Sequence, residues 1–375
     1  MKEETRRICL FAPVPPPLHG SNVATRILLE SDFSKEFSVK HINASYGDSL
    51  AGLGKPSVAK LWWFIKYLRR FLILDREASF DFVIFVPAAS LWPFVRDALA
   101  IAFVSYISHA KVILWIHTSD FARLRYAHSV MLRVCFNSVI KRANYIVAVG
   151  NAVALGLRGV VRDDRIAVIH NGIPLLSLYH EKVSSTEGIV IVYLSHMFEA
   201  KGWLILLKAA QRICQLHENV RFLFYGGPTD DSPLARINRE FEAHAVPGRI
   251  YYGGPVTGLE KVRVLESADV MCLPTYYRNE AFPISILEGM QFGLAVITTD
   301  AGSIPEAIVH GRGGLIVPQC DLDALTRSLS DLVCDIASIR RMGEFNLDRY
   351  RKLFSVETFS HRWIQVINDL QCEVT

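Results

Sequence analysis

Twelve short apolar runs, spaced along the whole chain, limit the fold more than any other feature of this sequence. Six strand-like runs occupy residues 8–12, 39–42, 82–86, 111–116, 145–149 and 166–169. Six more occupy 189–194, 221–225, 250–253, 270–273, 295–298 and 314–316. Helical periodicity falls between them at 22–33, 58–74, 92–108, 130–142, 202–216, 234–243, 258–268 and 284–292, and the tail from Asp321 onward is helical. Regular alternation of strand and helix predicts parallel sheets covered by helices, an α/β fold. A polar stretch without periodicity, Tyr179 to Gly188, separates the two sets and reads as a linker. At 375 residues the chain exceeds one typical core. The expectation is two α/β domains, 1–178 and 188 onward, joined by a linker at 179–187. In such sheets ligands bind at the carboxyl ends of strands, so two halves facing each other would make a cleft.

Composition removes several alternatives. Hydrophobic residues are 51% and charged residues 21%, a folded globular composition with mean hydropathy +0.24. No apolar run reaches eighteen residues, so no membrane span is predicted. The most apolar stretch, 98–107, is too short and follows Arg96 and Asp97. The first apolar run is short and ends in proline, which suits a core strand and not a signal peptide. The seven cysteines, Cys9, Cys135, Cys214, Cys272, Cys320, Cys334 and Cys372, have neither metal-ligand nor redox spacing. They read as buried thiols of a cytoplasmic protein. A net charge of +4 gives no footprint for nucleic acid.

The densest chemistry lies in Arg278 to Met290. Glu280 and Glu288 have seven residues between them, Glu280 in a loop and Glu288 within a helix. Pro283 suits the first turn of that helix, where its missing N–H would have no partner. Free N–H groups near Ile284 to Ile286 would point out of the helix start, where the dipole favours an anion. Two carboxylates beside such a helix start can hold a polyhydroxylated phosphate ester. Read plainly, the same glutamates are solvated charges.

Together with Gly293 to Glu306, a small-residue turn and strand, this segment resembles the retaining glycosyltransferases of the GT-B type, in particular family 4. The resemblance spans essentially the whole chain and is strongest from Tyr193 to Pro318. It implies two Rossmann-like domains, 1–178 and 188–355, facing across a cleft, with a last helix in 356–375 returning to the first domain. It also implies transfer of a hexose-type sugar from a nucleotide-diphosphate donor, UDP- or GDP-linked, to an acceptor hydroxyl with retention of configuration. Glu280 would hold donor-sugar hydroxyls and Glu288 the ribose hydroxyls. Phe282, Pro283, Ile284 and Ser285 would line the donor at the helix start.

Other positions carry the resemblance in part. Gly20, after the first strand, matches the family's glycine-rich loop, although a proline-rich turn capped by Ser21 or Asn22 fits equally. His117, at the end of the fourth strand, is similar to the histidine that approaches the donor sugar. Asn171-Gly172 resembles a turn near the domain junction, with Pro174 at the usual aspartate position. Lys201-Gly202 matches the family's Lys-Gly on the donor phosphates, whereas the arginine that precedes it is His196 here. Phe224 to Pro228 resembles a Gly-x-Gly turn, and Glu306 and Asp321 read as helix caps. A lysine at a helix start opposes the dipole, which itself suggests a bound anion.

The implied chemistry needs no metal and no cofactor, since Lys201 and helix-start amides would stabilise the departing diphosphate. A non-catalytic nucleotide-sugar-binding subunit, or a GT-B epimerase or phosphorylase, stays open as the alternative. Residues 61–74 interleave Trp62, Trp63, Phe64 and Tyr67 with Lys66, Arg69 and Arg70. That composition suits the interface of an anionic membrane, or a buried helix with a basic edge. The partners expected are a nucleotide sugar, a glycan or lipid-linked glycan acceptor and, through 61–74, the cytoplasmic face of a membrane, without nucleic acid.

Overall fold

The computed structural model describes residues 5–16, 19–44, 58–176 and 188–372. It divides into two units, one of Met1–Gly172 with Val356–Thr375 and the other of Ile173–Ser355. The expected linker at 179–187 lies outside the described residues.

Unit 1 holds strands β1 (Arg7–Ala12), β2 (Ser38–Asn43), β3 (Phe82–Phe85), β4 (Lys111–Ile116), β5 (Tyr145–Ala148) and β6 (Ile166–Val168). They form one parallel sheet in the order β2-β1-β3-β4-β5-β6. The order reverses between β1 and β3. The run Val112 to Ile116 is buried throughout, as expected for a strand covered on both faces.

The helix Val356–Cys372 completes this unit, although it is remote in sequence. Trp363 is fully buried, with its ring 5.0 Å from that of Trp115 and 6.0 Å from that of Phe33. Arg6 donates to the Ile367 carbonyl at 2.9 Å and Lys111 to the Leu370 carbonyl at 2.8 Å.

Unit 2 holds β7 (Ile189–Leu194), β8 (Val220–Tyr225), β9 (Ile250–Gly254), β10 (Val270–Leu273), β11 (Ala295–Thr299) and β12 (Gly314–Val317). Their order is β12-β11-β10-β7-β8-β9, again all parallel. The reversal here falls between β7 and β10. The strands β7, β10 and β11 are buried at every residue.

The chain divides at Gly172/Ile173, a few residues before the expected 178. Ile173 donates to the Phe354 carbonyl at 3.0 Å, and the Tyr350 hydroxyl donates to the Ile173 carbonyl at 3.0 Å. Gln291 donates to the Pro174 carbonyl at 2.9 Å. These bonds tie residues 173 and 174 to unit 2.

Three local expectations change: Cys320 and Cys334 are exposed and are not buried thiols, and two helix starts shift. The first helix is Gly20–Glu30, with His19 at the N-cap, so Ser21 and Asn22 lie inside it and do not cap it. Thr25 Oγ1 there bonds the Ser21 carbonyl at 2.9 Å, within the helix itself. Pro283 is the N-cap of Ile284–Gln291, one position before the first turn. The helical tail is three helices, Leu322–Val333, Ile336–Leu353 and Val356–Cys372, the first capped by Asp321 on the Ala324 amide at 2.8 Å as expected.

Candidate active site

At the reversal between β7 and β10 the chain leaves the carboxyl ends of two adjacent parallel strands toward opposite edges of the sheet, the usual ligand position in an open parallel sheet. Both exit loops carry the predicted residues. After β7 comes His196, then the 3-10 turn Glu199–Lys201. After β10 come Thr275, Tyr277 and Glu280, followed by the helix Ile284–Gln291.

The two loops are laced together. The Tyr276 amide donates to the Ala200 carbonyl at 2.7 Å, and Thr275 Oγ1 donates to the same carbonyl at 3.3 Å. Thr298 and Thr299 of β11 send their hydroxyls to the carbonyls of Leu273 and Thr275.

This lacing brings Lys201 and Glu280 together across 79 residues of sequence. Lys201 Nζ lies 2.5 Å from Glu280 Oε2, and Thr275 Oγ1 donates to the same oxygen at 3.2 Å. Both charged side chains are largely buried, 15% and 7% exposed. Lys201 Nζ also sits 5.0 Å from the centre of the Tyr277 ring, a cation–π distance. Tyr277 stacks on Phe198, with centroids 6.1 Å apart, and the His196 ring meets Phe198 edge-on.

Two glycines set this geometry. Gly202 has φ +83 and caps the helix Trp203–Leu216; a Cβ there would lie 2.2 Å from the Pro274 carbonyl oxygen. Gly302 has φ +57, and a Cβ would lie 2.2 Å from the Glu280 carbonyl oxygen. The Ser303 amide donates to the Ala281 carbonyl at 2.8 Å, so this turn braces the peptide that carries Glu280. Only a residue without Cβ accepts both the left-handed backbone and the close approach.

Glu288, 13% exposed, pairs with Lys261 of the helix Gly258–Ser267, Nζ to Oε1 at 2.5 Å. At the start of Ile284–Gln291, the Ile286 amide donates to the Pro283 carbonyl at 3.2 Å, so it is not free as expected. The amides of Ile284 and Ser285 make no bond among the described residues, and no side chain caps the helix. Phe282 is buried beside them.

In unit 1, Gly20 is the first residue of the helix that follows β1, and His117 directly follows β4. A Cβ at Gly20 would meet no atom of the described residues within 4 Å, so no packing among them explains the glycine. His117 packs its ring 4.4 Å from Trp115, and its Nε2 is buried without a hydrogen-bond partner among the described residues. Burial, and then the nearby charge of His19, push its pKa down to about 3. The imidazole is therefore neutral at physiological pH.

A cavity of about 1050 Å³ in unit 2 lies at the opposite end of the sheet, lined by Ile189, Val220 and Asp269 at the strand starts. It contains none of the predicted residues.

Sequence reasoning missed Thr275, Tyr277 and Lys261. A hydroxyl five residues before Glu280, on the exit of a buried strand, is a readable signal for Thr275. Nothing in the spacing pairs Lys261 with Glu288.

Comparison with known proteins matches both units. The family described as Glycosyl transferases group 1 matches residues 188–335, and Glycosyltransferase Family 4 matches 26–175. The D-inositol 3-phosphate glycosyltransferase of Corynebacterium efficiens is 27% identical over 55% of this chain. The chain spans less than half the length of the first curated relatives it matches, 46% in that case. Among solved structures, the sucrose-phosphate synthase of Thermosynechococcus elongatus superposes with TM-score 0.76 at 17% identity, covering 98% of this chain and all of that one. HepE of Anabaena, solved in complex with UDP, superposes with TM-score 0.72 at 16% identity over 97% of this chain and all of that one. Those likenesses establish a GT-B fold, and with a family match in each unit the chain belongs to the family 4, GT-B glycosyltransferases.

Proposed function

We propose that this protein transfers a sugar from a nucleotide-diphosphate donor, UDP- or GDP-linked, to an acceptor hydroxyl with retention of configuration. The observation that carries the reading is the Lys201–Glu280–Thr275 cluster at the β7/β10 reversal, beside an uncapped helix start. A phosphate ester has hydroxyls and a dianion, and this cluster offers an acceptor oxygen and donors to match. Glu280 Oε2 is taken by Lys201 and Thr275, whereas Oε1 makes no bond among the described residues. That oxygen accepts donor-sugar hydroxyls. Lys201 and the amides of Ile284 and Ser285 face the diphosphate and stabilise the charge that develops as it leaves. Glu288 holds the ribose.

Attack occurs on the face from which the leaving group departs. The acceptor oxygen bonds to the anomeric carbon as the bond from that carbon to the phosphate oxygen breaks, and the acceptor's proton passes to the leaving phosphate. Lysine and amide groups supply the positive charge, so no metal is required.

The acceptor is a glycan or lipid-linked glycan at the cytoplasmic face of a membrane. Supporting this, the helix Val58–Ala78 exposes Trp62 (69%), Trp63 and Ile65 beside Lys66, Arg69 and Arg70, while Tyr67 and Phe71 fill the core. That face suits the interface of anionic lipid. No described helix is long and apolar enough to cross a membrane.

Release of UDP or GDP from a panel of nucleotide sugars tests the donor reading, with Lys201→Ala and Glu280→Gln as controls. Turnover by wild type alone supports transfer chemistry. Saturable binding without turnover under any acceptor favours a binding subunit, and no binding refutes the donor site. Co-flotation with phosphatidylglycerol vesicles, lost on Trp62→Ser with Trp63→Ser, tests the membrane reading; a wild type that stays with the protein fraction refutes it.

A further inference from the structure

Each carboxylate of the Glu-x7-Glu pair is held by a lysine from a different element. Lys201 serves Glu280, and Lys261 serves Glu288. The second contact has no place in the expected site. Lys261 is the fourth residue of Gly258–Ser267, the helix that follows β9, and reaches across to the helix that follows β10. Its side chain is 22% exposed and that of Glu288 13%.

The geometry divides the carboxylate's two oxygens. Glu288 Oε1 receives Lys261 at 2.5 Å, and Oε2 makes no bond among the described residues. A glutamate side chain has three rotatable torsions and, unpaired, would sweep its oxygens over several ångströms. The ammonium pins one oxygen and so fixes the direction of the other. The pair also lowers the cost of keeping a carboxylate poorly hydrated before a ligand arrives.

We infer that Lys261 is a positioning residue that aims Glu288 Oε2 at the hydroxyls of a ribose, and that it thereby sets selectivity for ribonucleotide donors over 2′-deoxyribonucleotide ones. The inference rests on the proposal that Glu288 receives the ribose. A carboxylate oxygen aimed at a vicinal diol accepts charge-assisted hydrogen bonds from both hydroxyls, and the 2′-deoxy compound loses the one from the 2′ position. A site built to bond a hydroxyl rejects the analogue without it more strongly than shape alone would. Lys261 touches Glu288 and not the reacting atoms, so its removal raises KM and leaves kcat near its wild-type value.

Calorimetric titration of wild type, Lys261→Met and Lys261→Arg with UDP, GDP and their 2′-deoxy forms tests this. Wild type is expected to prefer the ribo form of its nucleotide by roughly tenfold. Lys261→Met loses about tenfold in affinity for the ribo form and little for the deoxy form, which collapses the preference. Lys261→Arg retains most of it, and still reports if the methionine variant fails to fold. Equal weakening of both forms in Lys261→Met would make the lysine a structural brace and overturn the inference, as would an unchanged preference. Wild type that binds nucleotide without a ribo preference refutes the ribose role of Glu288 itself. Wild type that binds none of the four refutes the donor site.

Discussion

Replacing Lys201 by methionine would keep an unbranched side chain, one atom shorter, and remove its charge. Glu280 would then lie 7% exposed with the Thr275 hydroxyl as its remaining bond. Removing one partner of a buried ion pair costs about 3–5 kcal/mol, because the other charge stays desolvated. With Lys201 itself 15% exposed, the low end applies, and we expect about 3 kcal/mol from Lys201→Met. Glu280→Gln should cost less, about 2 kcal/mol, since the ammonium keeps the Tyr277 ring and some water. The double variant leaves no buried charge, so it should cost about 2 kcal/mol and not the sum, a coupling of roughly 3 kcal/mol. For a unit of this size the single lysine variant corresponds to a fall in Tm of about 6–12 °C. Urea titration read by hydrogen exchange of peptides from 188–355 would isolate unit 2. Two single effects that add to within about 0.5 kcal/mol in the double variant would refute the reasoning. Nucleotide-sugar turnover should remain absent in all three variants, whatever their stability.

Gly202→Ala forces a left-handed backbone onto a residue with Cβ and places that carbon 2.2 Å from the Pro274 carbonyl. A loss of about 3 kcal/mol or more is expected by urea titration, with donor binding falling in parallel as Lys201 moves. For His117, burial holds the folded pKa near 3 against an ordinary 6.5. As pH falls below 6.5 the unfolded chain takes up the proton and the folded chain does not, so stability is lost on acidification and fully restored above 6.5. Wild type should therefore lose about 1.4 kcal/mol more than His117→Gln between about pH 7.5 and 5.5, and parallel curves would refute the assignment. Trp363→Ala should destabilise unit 1 by about 3–5 kcal/mol and leave hydrogen exchange in unit 2 unchanged.

The strands were readable because burial on both faces demands unbroken apolar runs. Val112 to Ile116 and Val270 to Leu273 satisfy that demand along their whole length. The short helix Asn151–Leu157 escaped, since two turns give too little periodicity to register. Lys201, Glu280 and Glu288 were visible through local context. Their pairing was not, because the order of strands in the sheet brings β7 beside β10 and no local pattern encodes that order. Lys261 shows the same limit more sharply. On its own helix it reads as an ordinary exposed lysine, and only the packing of two helices gives it a carboxylate.

The helix Val356–Cys372 has a consequence for biosynthesis. Unit 2 is one continuous stretch, Ile173–Ser355, inserted into unit 1. The Trp363 ring that fills the core beside Trp115 and Phe33 is made last. As the chain leaves the ribosome, unit 2 has all its residues before unit 1 does. The first 172 residues must wait with an open apolar face where the final helix belongs. A nascent chain stalled short of residue 356 would thus carry a completed second unit and an unfinished first one, the species that chaperones and proteases would see.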